Sequence, residues 1–208
     1  MSEKSCGKKI GILGGTFNPI HNGHLLLAQA AFAQESLDVV LFMPSGHSYM
    51  KADTGVLTAD IRLAMVKLAI ADNPAFSFSD MEMKRAGNTY TYETLTLLNK
   101  MHPEDTFYFI VGADSLFSME SWKNPEEIFS QCIILAAMRN GADKNRMEQK
   151  IAELHKKYGA VIKLLEFPRT DISSSFIRAQ AAIGKNIEGL VPKNVERYIK
   201  EHRLYQRK

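Results

Sequence analysis

The sequence predicts an α/β fold: a parallel sheet, doubly wound, with helices on both faces. Short apolar runs alternate with stretches of helical length, and that spacing leaves room for the right-handed crossovers that join parallel strands. The first run, Lys8-Lys9-Ile10-Gly11-Ile12-Leu13, is mostly apolar rather than alternating, as in a strand covered on both faces. Glycine, proline and polar residues gather just beyond the runs, at the carboxyl edge where such sheets hold ligands.

In chain order, residues 8–13 form the first strand, and a helix begins near Asn22 with its apolar stretch over 25–34. Residues 38–43 make the second strand, and Thr58, an oxygen-bearing residue ahead of an apolar run, caps a helix over 59–71. A third strand at 76–80, a helix at 92–101 and a fourth strand at 106–111 follow. A short helix at 125–130, a fifth strand at 132–137, a helix at 144–158 and a last strand at 161–167 complete the sheet; two helices close the chain. Gly14, Pro44, Gly112 and the segment at Ser173 each lie just after a strand, so they converge on one edge. Residues 45–55 and 139–143, rich in glycine and polar side chains, are expected to be mobile. Arg62 and Lys67 read as part of a solvated helix face. No repeat, low-complexity tract or long linker interrupts the pattern, so one domain over residues 1–208 is expected.

The chain has 208 residues, 45% apolar and 24% charged, which suits one domain with a substantial core. Its net charge of +3 is mild and the basic residues are dispersed, which argues against a nucleic-acid surface and leaves room for a local anion pocket. Cys6 and Cys132, far apart and without a C-x-x-C, read as reduced thiols rather than a disulfide or zinc framework. Residues 1–9 are polar and no run approaches a membrane span, so a cytoplasmic location without a membrane partner is expected. Association into a homo-oligomer is compatible with all of this.

The densest chemistry lies between the first strand and helix, in Gly14-Gly15-Thr16-Phe17-Asn18-Pro19-Ile20-His21-Asn22-Gly23-His24. Gly14 and Gly15 put no side chain in the way of a ligand, Pro19 stiffens the turn, and the helix aims unsatisfied N–H groups and a partial positive charge back at it. An anion belongs there. Neither G-x-G-x-x-G nor G-x-x-x-x-G-K-[ST] is present; instead two imidazoles one helical turn apart can face a common ligand. A zinc-protease reading needs histidines at i and i+4 with an intervening Glu, and no Cys or carboxylate lies nearby to complete a site, so no protein-held metal is expected.

Two further segments carry functional residue types. In Asp171-Ile172-Ser173-Ser174-Ser175-Phe176-Ile177-Arg178, Ser173 suits an N-cap, its neighbours offer N–H and O–H donors, and Arg178 follows one turn later. Gly112-Ala113-Asp114-Ser115 leads to Trp122, the single tryptophan, in a polar loop over 120–125 where an exposed indole would want a partner. Asp114 could instead cap the helix after it.

The stretch around His21 and His24 resembles the T/H-x-G-H signature of the nucleotidylyltransferase superfamily. Taken with Gly112 to Ser115, Trp122, Thr89-Tyr90-Thr91 and the serine segment ending in Ile177-Arg178, it resembles the bacterial nicotinate-nucleotide adenylyltransferases over about residues 9–203. The resemblance implies a Rossmann-like sheet and a reaction joining the AMP moiety of ATP, with Mg2+, to nicotinate mononucleotide, giving deamido-NAD and pyrophosphate. It places His24 on the α-phosphate and His21 and Arg178 on the β and γ phosphates. ATP contacts would come from Gly14, Gly15, Thr16, Phe17, Gly23, Gly112, Ser173, Ser174, Ser175 and Ile177. It also implies that Trp122 stacks on the pyridine ring, that Asp114 contacts the mononucleotide ribose, and that Thr89, Tyr90 and Thr91 offer donors to the nicotinate carboxylate.

The chain departs from the common family pattern at Asn18, where Asp is usual and the turn chemistry is kept, and in the loop over 44–51, which lacks Pro-Pro-His-Lys and leaves Lys51 or His47 for the acceptor phosphate. A phosphomonoester acceptor with a second pKa near ~6 is largely dianionic at neutral pH, so it can attack the α-phosphate without a protein base or covalent intermediate. Three alternatives stay open: pantetheine-phosphate adenylyltransferases, usually shorter, which share the histidine turn and serine segment; a non-catalytic nucleotide sensor; and a doubly wound domain whose polar loops match by coincidence.

Overall fold

A computed structural model describes residues 7–46, 55–138, 144–166, 168 and 170–206. Six parallel strands, β1 (Lys9–Gly15), β2 (Val39–Pro44), β3 (Phe76–Phe78), β4 (Thr106–Gly112), β5 (Ile133–Ala137) and β6 (Ile162–Leu165), form one sheet in the order β3-β2-β1-β4-β5-β6. The helices are α1 (Asn22–Glu35), α2 (Ala59–Ile70), α3 (Thr91–Met101), α4 (Ala113–Ser118), α5 (Pro125–Gln131), α6 (Lys144–Tyr158), α7 (Ser174–Ala182) and α8 (Lys193–Glu201), with a 3-10 turn at Met119–Ser121. The sheet was expected and is doubly wound. Side chains alternate along each strand, so β4 sends Tyr108 and Ile110 to one core and Phe107, Phe109 and Val111 to the other. The first core packs against α1, α2, α7 and α8 through Ala28, Met65, Ile177 and Val195; the second packs against α3 to α6 through Leu95, Leu116, Ile128 and Leu154.

Chain order reverses between β1 and β4, and there the sheet splits. β1 pairs with β4 only from Lys9 to Ile12, yet its pairing with β2 runs on to Gly15, and that of β4 with β5 runs on to Gly112. The two central strands therefore part company over their last residues and leave a crevice at the carboxyl edge.

The strand ends differ from expectation: β1 and β4 extend through Gly15 and Gly112, while β3 and β6 are shorter than the runs at 76–80 and 161–167. Thr58 occupies the N-cap of α2 without a side-chain hydrogen bond. The sequence points to a helix near Asp114 only as one that residue could cap; the bounds of α4 and the 3-10 turn after it are not among the predicted elements. Six residues are too few for a helical period to be read, and the segment folds because Leu116 and Met119, both fully buried, are drawn into the second core. Of the stretches expected to be mobile, residues 47–54 and 139–143 lie outside the described residues, and so do Lys51 and His47. Among the described residues, no helix is long and apolar enough to cross a membrane.

Candidate active site

The crevice is a cleft of about 550 Å³, and Gly14, His24, Gly112, Asp114, Trp122 and Ser173 are among the residues that line it. Pro44, expected at the same edge, pairs with Gly15 outside it. The glycines serve different ends. A Cβ on Gly14 would meet nothing closer than the Phe109 ring at 3.8 Å, and one on Gly112 would meet nothing within 4 Å. The fold would accept a side chain at both positions, so the room they leave is room for a ligand. Gly15 instead makes way for the Phe17 ring, 3.2 Å from where its Cβ would lie, and Gly23 lets the His21 imidazole lie against the start of α1, with Nδ1 3.0 Å from its would-be Cβ.

His21 is the N-cap of α1, and the His21 and His24 rings stack at 3.6 Å with 23° between their planes. The backbone N–H of His21 donates to Nδ1 of His24 (3.2 Å). A neutral His24 therefore carries its proton on Nε2, as a donor. Burial pushes the His21 imidazole down to about 4, so this ring is neutral at pH 7, and its buried Nδ1 has no hydrogen-bond partner among the described residues. Phe17 packs edge-on against His24 at 5.0 Å and fixes the outer ring of the stack.

Across the cleft, Ser173 caps α7, its Oγ accepting from Phe176 N at 3.2 Å, as its position in the sequence predicted. Ser174 donates its hydroxyl to the Pro19 carbonyl (2.8 Å), so that group is committed to holding α7 against the turn rather than to a ligand. The first residues of α1 and α7 thus face one space, and both helix termini favour an anion there.

On the far side, Trp122 overturns the expectation of an exposed loop. It is half-buried and meets the Phe109 ring edge-on at 6.2 Å, because the buried Met119 anchors the preceding turn; its indole Nε1 is buried and has no hydrogen-bond partner among the described residues. Glu120 ties that turn to α6, accepting from Lys150 and from Lys157 (2.8 Å), and these two ammonium groups hold its carboxyl down to about 2. Asp114 lies inside the first turn of α4, whose N-cap is Gly112, so Asp114 is not the cap.

A family model described as cytidylyltransferase-like matches residues 12–180. A relative from Lachnoclostridium phytofermentans named "Probable nicotinate-nucleotide adenylyltransferase" is 46% identical over 198 residues, covering 95% of this chain and 99% of its own. One of the same name from Dehalococcoides mccartyi is 45% identical, covering 96% and 98%. This chain belongs to the nicotinate-nucleotide adenylyltransferase family. In fold it is similar to the Plasmodium falciparum nicotinic acid mononucleotide adenylyltransferase complexed with NaAD, with a TM-score of 0.80 at 22% identity over 95% of this chain and 97% of that one.

Residues assigned by resemblance to this adenylyltransferase family are only partly brought together. Gly14, Gly23, His21, His24, Gly112, Asp114, Trp122, Ser173 and Ser174 line the cleft. The side chains of Phe17 and Ile177 are buried in the core, so only their backbone could meet a ligand. Gly15, Thr16, Ser175 and Arg178 lie outside the lining; Arg178 Nη1 donates to the Asn18 carbonyl (2.8 Å) beneath the turn. Thr89, Tyr90 and Thr91 also lie outside it, at the start of α3. The Thr89 hydroxyl is committed to Glu82 Oε2 (3.3 Å), and burial raises the Glu82 carboxyl despite that bond and another from Thr94.

Arg62, like Trp122, departs from its expected place. It is 3% exposed rather than solvated, donating from Nε to the Leu57 carbonyl (3.1 Å) and from Nη1 to the Thr16 carbonyl (2.8 Å). Lys67, expected on the same solvated face, is exposed, its ammonium 4.5 Å above the Phe78 ring.

Proposed function

We propose that this chain transfers the AMP moiety of ATP to nicotinate mononucleotide, forming deamido-NAD and pyrophosphate in the biosynthesis of NAD. One observation carries this reading: the histidine stack, its inner ring His21 kept neutral by burial, lies at a helix N-terminus beside a strand end, Gly14, that the fold does not require to be bare. The triphosphate would run along the starts of α1 and α7, and the acceptor would lie toward Trp122. The phosphate of the acceptor, already dianionic, attacks the α-phosphorus in line; pyrophosphate leaves, and no residue needs to take a proton from the nucleophile. Catalysis then consists of positioning and of donors aimed at the oxygens on which charge grows.

In this scheme His24 Nε2–H donates to the α-phosphoryl oxygens, and its proton is held on that nitrogen by the backbone bond to Nδ1. His21, kept neutral by burial, and Arg178, with guanidinium donors beyond the one holding Asn18, serve the β and γ phosphates. Among the described residues there is no group of three His, Cys, Asp or Glu side chains that could hold a metal ion. Mg2+, implied by the family resemblance, would enter with the ATP substrate and offset the charge of its phosphates. Trp122 offers the flat apolar face that a pyridine ring requires.

Comparing kcat/KM for nicotinate mononucleotide, nicotinamide mononucleotide and phosphopantetheine, with pyrophosphate release as readout, tests the reading. Nicotinate mononucleotide should be preferred. A preference for phosphopantetheine, or ATP binding with no pyrophosphate released for any of the three, would overturn it.

A further inference from the structure

We infer that Arg62 and Tyr205 are positioning residues for nucleotide binding: through Thr16 and Asn18 they lock the turn that precedes α1. The inference rests on the adenylyl-transfer reading for what the turn holds, and on geometry for the lock itself. Residues 16–18 are gripped from four places in the chain. Arg62 of α2 holds the Thr16 carbonyl, and Arg178 of α7 holds that of Asn18. Asn18, 4% exposed, uses both ends of its amide: Nδ2 donates to the Gly55 carbonyl (3.0 Å), and Oδ1 accepts from Leu57 N (3.3 Å) and from the Tyr205 hydroxyl (3.0 Å). Arg62 completes the loop by also holding the Leu57 carbonyl.

The backbone shows why a lock is needed. Phe17 has φ +48°, in the left-handed region that an aromatic residue rarely enters, so outside contacts must maintain it. The segment after α8 bears a similar cost. Arg203 (φ +48°) and Tyr205 (φ +65°) are both left-handed, and between them Leu204 is buried, its N–H donating to the Ile199 carbonyl (3.0 Å). Two disfavoured residues are thus used to bring one phenol hydroxyl to Asn18. Burial pushes that phenol up, against the opposing pull of Arg178 and Arg62 beside it.

Neither Arg62, Asn18 nor Tyr205 lines the cleft, so they act through the turn. A trans peptide carries its carbonyl and N–H in opposite directions. Fixing the Thr16 carbonyl toward Arg62 therefore fixes the Phe17 N–H away from it, and the ring of the same Phe17 steadies His24. The lock sets both a backbone donor and an imidazole.

Calorimetry of the full chain with ATP and no acceptor tests this. Tyr205→Phe, which removes one hydroxyl, should weaken ATP binding about fivefold while leaving KM for nicotinate mononucleotide unchanged. Arg62→Lys, which cannot span both carbonyls, should weaken it more. Ile128→Val, a trimmed residue of the other core, controls for destabilisation alone and should keep wild-type ATP affinity. Wild-type ATP affinity in Tyr205→Phe would overturn the inference, as would equal weakening of both substrates or the same loss in Ile128→Val. Calorimetry needs no turnover, so absence of transfer activity in the wild-type chain would end the functional reading while ATP affinity still decides the lock.

Discussion

The two walls of the cleft are built by different means. The wall formed by β1, the turn and α1 is held by directed hydrogen bonds onto backbone carbonyls, from Arg62, Arg178 and Ser174, with two stacked imidazoles at its surface. The wall formed by β4, α4 and the turn before Trp122 is held by apolar packing of Leu116, Met119 and Phe109, and by the charged tie from Glu120 to α6. Directed bonds fix donors to within a fraction of an ångström, as the stabilisation of developing phosphoryl charge requires. Packing supplies a flat surface whose tolerance is wider, which is enough to seat an aromatic ring. On the proposed reading, chemistry falls to the first wall and acceptor recognition to the second.

The sharpest way to break that division is His24→Ala. Loss of a preorganised donor to the α-phosphoryl group should cut kcat by roughly a hundredfold or more in a coupled pyrophosphate assay, with KM for nicotinate mononucleotide little changed. Near-normal turnover would remove the first wall from the chemistry. The next effect is on stability. His21 is harder to protonate folded, at about 4, than unfolded, at 6.5, so the unfolded chain takes up the proton first. Its contribution is complete above pH 6.5 and is lost as the pH falls toward about 4, up to a limit on the order of 3 kcal/mol. Denaturant midpoints measured across that window should fall more steeply for the wild type than for His21→Asn, and equal slopes would mean that His21 is not held neutral by burial. Trp122→Ala comes last: KM for nicotinate mononucleotide should rise about tenfold, with KM for ATP nearly unchanged. Equal rises for both substrates would make Trp122 a structural residue and dissolve the division between the walls.

The walls also differ in how much of each was legible beforehand. The strand, glycine turn and histidine pair of the first wall are contiguous, so local pattern and spacing sufficed to place them at a helix start. The Ser173 cap was legible for the same reason. What braces that wall was hidden, because Arg62 meets Thr16 across 46 positions and Tyr205 meets Asn18 across 187. An arginine on a twelve-residue helix looks solvated until the carbonyls it serves are known. On the second wall, Glu120-Ser121-Trp122-Lys123 is locally polar and reads as an exposed loop, whereas burial of Leu116 and Met119 turns the segment inward. The Thr89 hydroxyl belongs to the same class, since its partner Glu82 was recognisable only once the fold had brought the two together.

The position of bound polyphosphate tests the central claim most directly. In a crystal of this chain with a non-hydrolysable ATP analogue and Mg2+, the account predicts the α-phosphate within hydrogen-bond distance of His24 Nε2, with the outer phosphates running between Gly14 and Ser173. A triphosphate seated away from the gap between β1 and β4, with both imidazoles directed elsewhere, would contradict it.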